Sequence, residues 1–370
     1  MTLRRFVILL FLITLALPSF PASEDNPVTG PIKLVYDSDF PDPYVIRHGD
    51  YFYVTGSWPR MLRTKSFEPG DIMAYTMDID LGPDKKKIDG YWAMRLYCHT
   101  DGSWHAYASV HYLGFRTLVA HFSPAPGEKW TDEKPITRWT LDKVLIGDLK
   151  LGLFAYDSVV LRDDNGALWM LYSSGSPNEV LGVDIHVKAR RMIDPLNFDP
   201  ASPVYTILSP EGIRSENRNE NFVQILEGPI PVKLGKWWGL SYSAGDFTAP
   251  NYKTTFAFSD QLVPTLGKSY EKLVIPDAKN TWKNDGLTTE VLYTLQSETD
   301  AWPNYVGKWV EGPGHANLVE INGKHFLIFH GRKLRKDMTA WDGRSLWKAE
   351  VDVKVGENTP RDQWIVPKLE

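Results

Sequence analysis

Asp42, Asp157, Glu227 and His315 occupy one recurring place in the chain. Asp42 lies 7 residues before Gly49, Asp157 lies 9 before Gly166, Glu227 lies 8 before Gly235 and His315 lies 8 before Gly323. Each glycine marks a short polar turn, and each of the four residues opens the apolar run that leads into it. Asp and Glu are poor strand formers, so their repeated placement at the start of such runs calls for a reason. If the runs are equivalent strands around one axis, the four side chains open at the same end and converge. Three converging carboxyl groups suit the cleavage of a glycosidic bond. One carboxylic acid protonates the leaving oxygen, and one carboxylate activates water or attacks the sugar. A third, with partial burial, raises the pKa of the acid into the working range. A second Glu-Gly-Pro runs from Glu311 to Pro313, and Glu311 lies 12 residues before Gly323. That longer offset predicts a place in the loop above the strand, so Glu227 is preferred as the acid.

The elements that must position these residues are hairpins. Five segments share one form: a strand, a tight polar turn, then an aromatic strand ending in a small polar residue. The second strands end at Ser57, Ser109, Ser173, Ser243 and His330. Asn165-Gly166 and Asn322-Gly323 are signals for two-residue turns. The hairpins recur at roughly 50- to 90-residue intervals, room for a four-stranded unit each, which predicts an all-β, five-bladed β-propeller. A β-sandwich with scattered hairpins is the alternative. No Pro/Ser/Gly linker interrupts the pattern, so residues 24–370 read as a single domain.

Composition narrows the function further. The 370 residues are 43% hydrophobic and 24% charged, a globular balance. The formal net charge is −5 and the only basic cluster is Lys85 to Lys87, which argues against a nucleic-acid partner. One cysteine, Cys98, excludes an intrachain disulfide and any cysteine-rich metal site. The aromatic content of 13%, with 14 Trp, suits β-type cores and the stacking of sugars. At the N-terminus, Arg4 and Arg5 precede the apolar run Phe6–Leu17, and Pro18 to Ser23 follow. This is the layout of a secretory signal peptide over residues 1–23. The run falls short of the ~20 residues that span a bilayer. A secreted or periplasmic protein without stable membrane insertion is expected; an uncleaved anchor is the alternative.

The motifs in order resemble glycoside hydrolase family 43. They are Ser38-Asp39-Phe40 before Asp42-Pro43-Tyr44; Trp92-Ala93; Tyr156-Asp157-Ser158-Val159; Glu227-Gly228-Pro229 with Ser241-Tyr242-Ser243; and Gly314-His315. The resemblance covers about residues 36 to 350. It implies a five-bladed propeller that removes arabinofuranosyl, xylosyl or galactosyl groups with inversion. By it, Asp42 is the general base, Glu227 the general acid and Asp157 the residue that tunes the acid. Phe40, Trp92, His315 and Arg344 are expected at the substrate. No cofactor is required, although in some members the histidine corresponding to His315 helps hold a calcium ion near the axis. Ser158 stands where the family usually has proline, and Met94 departs in the same way. A carbohydrate-binding propeller without catalysis is the alternative function. Trp58, Trp92, Phe154, Tyr156, Phe247 and Trp341 border the expected inner strands and are candidates for stacking on a sugar. Trp169, Trp237 and Trp238 are expected in the core. His105, His111, His121 and His330 show no metal-type spacing and are read as structural or surface residues.

Overall fold

Runs such as Tyr51-Phe-Tyr-Val-Thr55 are aromatic or β-branched and buried or half-buried at every position, because both faces of the strand are covered. Phe52 and Val54 pack against Ile328 and Leu346, while Tyr53, pointing the other way, packs against Met94 and Leu96. That two-sided burial is the signature of a blade between two blades. In the computed structural model, which describes residues 32–82, 87–112, 116–131, 134–146, 154–175, 184–210, 225–248, 252–276, 287–288, 290–292, 310–334 and 340–368, the chain is a five-bladed β-propeller. The expected signal peptide, Lys85, Lys86 and most of the segment 276–310 lie outside the described residues.

Each blade is a sheet of antiparallel strands whose first strand lies innermost, and blade 2 adds a parallel outer strand, Asp78–Asp80, beside Arg138–Ile146. The inner and second strands are Tyr44–His48 and Tyr51–Thr55 in blade 1, Ile88–Cys98 and Trp104–Tyr112 in blade 2, and Phe154–Arg162 and Leu168–Gly175 in blade 3. They are Leu226–Leu234 and Trp237–Ala244 in blade 4, and Val310–Ile321 and Lys324–Leu334 in blade 5. Five hydrophobic clusters fill the five interfaces between successive blades. The ring is closed by the N-terminal strand Ile32–Tyr36, which pairs antiparallel with Ala340–Val353 of blade 5, Ile32 opposite Ala349. Trp238 is buried between blades 3 and 4, and Trp169 and Trp237 pack partly buried against the clusters, as expected of core residues.

The turns differ in detail from the sequence reading. Asn322 and Gly323 do form a two-residue turn, both with positive φ, between paired Ile321 and Lys324. Asn165-Gly166 does not: the connection runs from Asp163 to Ala167, because the Asp163 carboxylate accepts the N–H groups of Asn165 and Ala167 and widens the loop.

One device repeats in four inner strands and has a counterpart in the remaining blade of the ring, blade 1. The pairing skips two residues after Trp92, Tyr156, Glu227 and Gly314, which is a β-bulge each time. The first skipped residue has a left-handed backbone: Ala93, Asp157, Gly228 and His315, with φ of 49°, 52°, 61° and 50°. Asp42, φ 57°, takes the same role just before the inner strand of blade 1. For residues other than glycine this conformation costs roughly 1–3 kcal/mol, and it persists where the surroundings enforce it. A bulge also frees a backbone N–H from the ladder, and a buried N–H must find another partner. In four blades that partner is the residue expected to end the second strand of the preceding blade, although three of those strands run on past it and the first stops short at Thr55. Ala93 N–H donates to Ser57 Oγ at 3.1 Å, Asp157 N–H to Ser109 Oγ at 3.0 Å, His315 N–H to Ser243 Oγ at 2.8 Å, and Asp42 N–H to His330 Nδ1 at 2.8 Å. Ser57, Ser109, Ser243 and His330 are therefore the ties between blades at the axis.

Candidate active site

The four bulges and the kink at Asp42 lie at one end of the axis, and the expected carboxyl groups meet there. Asp42 is buried, with Ser57 Oγ donating a short hydrogen bond to Oδ2 and the Arg344 guanidinium 3.1 Å from Oδ1. Burial alone would raise its pKa. Arg344, His315, His330 and the Ser57 hydroxyl override burial and hold this carboxyl well below the usual range, so it is an anion at any working pH. Asp157 is also buried, and its Oδ2 accepts the Gly228 N–H at 3.0 Å. Burial, with the neighbouring Glu227 and Asp42 charges, pushes it up to about 6 against the pull of His315 and Arg95.

Glu227 is held differently. Tyr252 O–H donates to its Oε1 at 2.6 Å, and Tyr156 adds a second hydrogen bond. Burial dominates and Asp42 adds to it, so the carboxyl is pushed up to about 7 although Tyr252, Arg344 and Tyr156 pull the other way. Asp157 reaches the backbone beside Glu227 rather than its carboxyl. Glu227 is also one residue out of phase with Asp42, Asp157 and His315: it precedes the left-handed residue of its bulge, where they are that residue. Gly228 takes the kink instead, and a Cβ there would meet the His315 ring at 2.8 Å. The shared offset in the sequence thus brings the right residues together although one of them stands at the neighbouring position.

His315 lies between the carboxylates, Nε2 at 3.7 Å from Asp42 and 3.5 Å from Asp157. Burial lowers its pKa despite those two anions. Its Nδ1 is buried without a hydrogen-bond partner among the described residues. Among the described residues no group of three or more His, Cys, Asp or Glu stands so as to hold a metal ion. Calcium takes six to eight oxygen ligands, so the donor set around His315 does not fit a directly bound calcium.

The other expected substrate residues are placed as follows. Phe40 is 1% exposed and packs in the cluster between blades 5 and 1, so it belongs to the core and offers no surface to a ligand; only its backbone, hydrogen-bonded to Arg344 O at 2.6 Å, supports the site. Trp92 is half-buried against His111 at the position equivalent to Glu227 in blade 2. Arg344 is at the site, bound to Asp42 and with its backbone N–H donated to Asp39 Oδ1 at 2.7 Å. Two exposed aromatics flank it. Trp58, 48% exposed, donates its ring N–H to Asp39 Oδ2 at 2.7 Å, and Phe247, 47% exposed, lies 5.7 Å from the Arg344 guanidinium. The side chain of Trp341 lies outside the described residues. Glu311 is not in a loop: it is the second residue of the inner strand of blade 5, buried, with its carboxylate paired to Arg332.

Three residues of the site were not legible as such in the sequence. His330 is no surface histidine; it accepts the Asp42 N–H and stacks between Tyr252 and His315. Its position in the fifth second strand, in the place of the serine of the other blades, is a signal that could have found it. Tyr252 and Arg95 carry no comparable signal, since their contacts lie 25 and 134 positions away.

Comparison with known proteins agrees with this architecture. No protein-family model and no curated protein matches the chain at the level of sequence. Solved structures do. A thermostable family-43 glycoside hydrolase superposes with a TM-score of 0.64 at 16% identity, over 90% of this chain and 95% of that one. An α-L-arabinofuranosidase from Lactobacillus brevis gives 0.63 at 18% over 90% and 93%. An α-L-arabinanase from Cellvibrio cellulosa, complexed with arabinohexaose, gives 0.57 at 16% over 90% and 96%. The five-bladed fold implied by the family-43 resemblance is the fold of this chain.

Proposed function

We propose that this chain is a glycoside hydrolase that removes arabinofuranosyl, xylosyl or galactosyl groups from polysaccharide or oligosaccharide chains by a single, inverting displacement. The observation that carries the reading is the contrast between two carboxyl groups at one axis: Asp42 held ionised by Arg344 and Ser57, and Glu227 pushed up to about 7 by burial. Neighbouring carboxyls driven apart in this way are how one site supplies an acid and a base at neutral pH. Asp42 takes a proton from water as the water attacks the anomeric carbon. Glu227 gives its proton to the departing glycosidic oxygen. Asp157 fixes the peptide that follows Glu227. Trp58 and Phe247 offer faces on which sugars can stack beside the base. The likeness of the fold to arabinan- and xylan-acting enzymes supports the substrate class, and the family resemblance supports inversion. The layout of residues 1–23 supports action outside the cytoplasm. Among the described residues no helix is long and apolar enough to cross a membrane.

The test is proton NMR of the protein with arabinan, xylan and galactan fragments, beside Asp42→Asn. Release of a sugar of inverted anomeric configuration, reduced about 10²- to 10⁴-fold in the variant, is the expected result. Retained configuration would overturn the single displacement. Binding of a fragment without any release would turn the reading to a carbohydrate-binding propeller.

A further inference from the structure

Arg95 is a buried cation to which the reaction as described assigns no part. It is 1% exposed and lies in the inner strand of blade 2, two residues after the kink at Ala93. Its Nη1 donates to Pro229 O at 2.6 Å, so the side chain spans the axis from blade 2 to blade 4. Its guanidinium lies 5.5 Å from the Tyr44 ring of blade 1, and its principal counter-charge is Asp157 of blade 3. Nε and Nη2 have no hydrogen-bond partner among the described residues. Burying a guanidinium with two donors unsatisfied is costly, and capping a carbonyl does not require it. The equivalent carbonyl of blade 1, Pro43 O, is capped by the neutral Asn317 Nδ2 at 2.9 Å, and that of blade 2, Met94 O, by Thr55 Oγ1 at 2.6 Å. Of these three carbonyls, the one beside Glu227 is capped by a charge.

The same bulge is held from its other side by a charge of opposite sign. Gly228 N–H is bound to the Asp157 carboxylate and Pro229 C=O to the Arg95 guanidinium. Two consecutive residues after Glu227 are thus clamped by opposite charges that come from blades 3 and 2. We infer that Arg95 is a positioning residue for the proton donor: with Asp157 it fixes the Gly228–Pro229 backbone and thereby the point at which Glu227 delivers its proton. The inference rests on the reading of Glu227 as the acid.

A leaving group that departs without a proton separates this role from a merely structural one. The comparison uses the fragment turned over by the wild type and the 2,4-dinitrophenyl glycoside of the same sugar, with Arg95→Met, Arg95→Lys and Glu227→Ala. For Arg95→Met, kcat on the fragment is expected to fall about 10²-fold, with KM little changed and kcat on the dinitrophenyl glycoside within about threefold of wild type. Arg95→Lys should show the same pattern with a smaller loss, and it decides the matter if Arg95→Met does not fold. Equal losses on both substrates, unchanged activity on the fragment, or failure of both variants to fold would overturn the inference. Glu227→Ala tells the two failures apart. If it shows the differential loss and the Arg95 variants do not, only the role of Arg95 falls; if it loses equally on both substrates, the assignment of the acid falls with it.

Discussion

The junction between blades 4 and 5 and the junction between blades 3 and 4 solve the same problem in different ways. At the first, the freed N–H of His315 is capped by Ser243, near the end of the second strand of blade 4. At the second, the residue in that place is Ser173, whose buried hydroxyl has no partner among the described residues, and the freed N–H of Gly228 is capped instead by Asp157. Blades 1, 2 and 5 cap as blade 4 does. The repeat is therefore broken at one junction, the one beside Glu227. A hydroxyl would satisfy the N–H equally well. A carboxylate in its place couples the backbone of the proton donor to the charge at the axis, so the departure from the repeat falls where the chemistry is proposed.

Three measurements would break or sharpen this comparison. The largest effect is expected from Gly228→Ala. Its Cβ would fall within 2.8 Å of the His315 ring, and φ of +61° is strained for alanine, so the kink and His315 cannot both stay in place. Activity should drop by about 10²-fold or more, and stability by about 1–2 kcal/mol, read from turnover and denaturant melts. Full activity would show that the kink in blade 4 does not set the acid. Next comes pH. Since Glu227 must carry a proton and sits at about 7, kcat/KM should fall about tenfold per unit above that pH, while Asp42 stays ionised and sets no acid limb in the usual carboxylate range. A profile flat to pH 9 would separate Glu227 from the rate. The smallest effects compare the junctions directly. Ser109→Ala and Ser243→Ala each leave a buried N–H unpaired and should cost about 1–3 kcal/mol, whereas Ser173→Ala should be neutral within about 0.5 kcal/mol. Equal costs at all three would mean that Ser173 caps Gly228 in solution and that the junctions do not differ.

What could be read from the residues in order was whatever is encoded over a few positions. The two-residue turn at Asn322-Gly323 follows from its own need for positive φ. The blade pattern follows from strands covered on both faces, with Ser57, Ser109, Ser173, Ser243 and His330 toward their ends. The place of Asp42, Asp157, Glu227 and His315 follows from a fixed distance to those turns. Their protonation did not follow, because it depends on how dry the axis is and on which cations face each carboxyl. Phe40 sits beside the motif of Asp42 yet turns into the interface between blades 5 and 1, a direction set by the neighbouring blade. Tyr252, His330 and Arg95 act on residues 25, 288 and 134 positions away. Closing the ring, with Ile32–Tyr36 paired to the last blade, is what brings such distant positions within hydrogen-bond reach. The sequence by itself determined the blade, its turn and the residue types offered to the axis. The tertiary structure decided which of them meet, and through burial and opposing charge, which carboxyl keeps its proton.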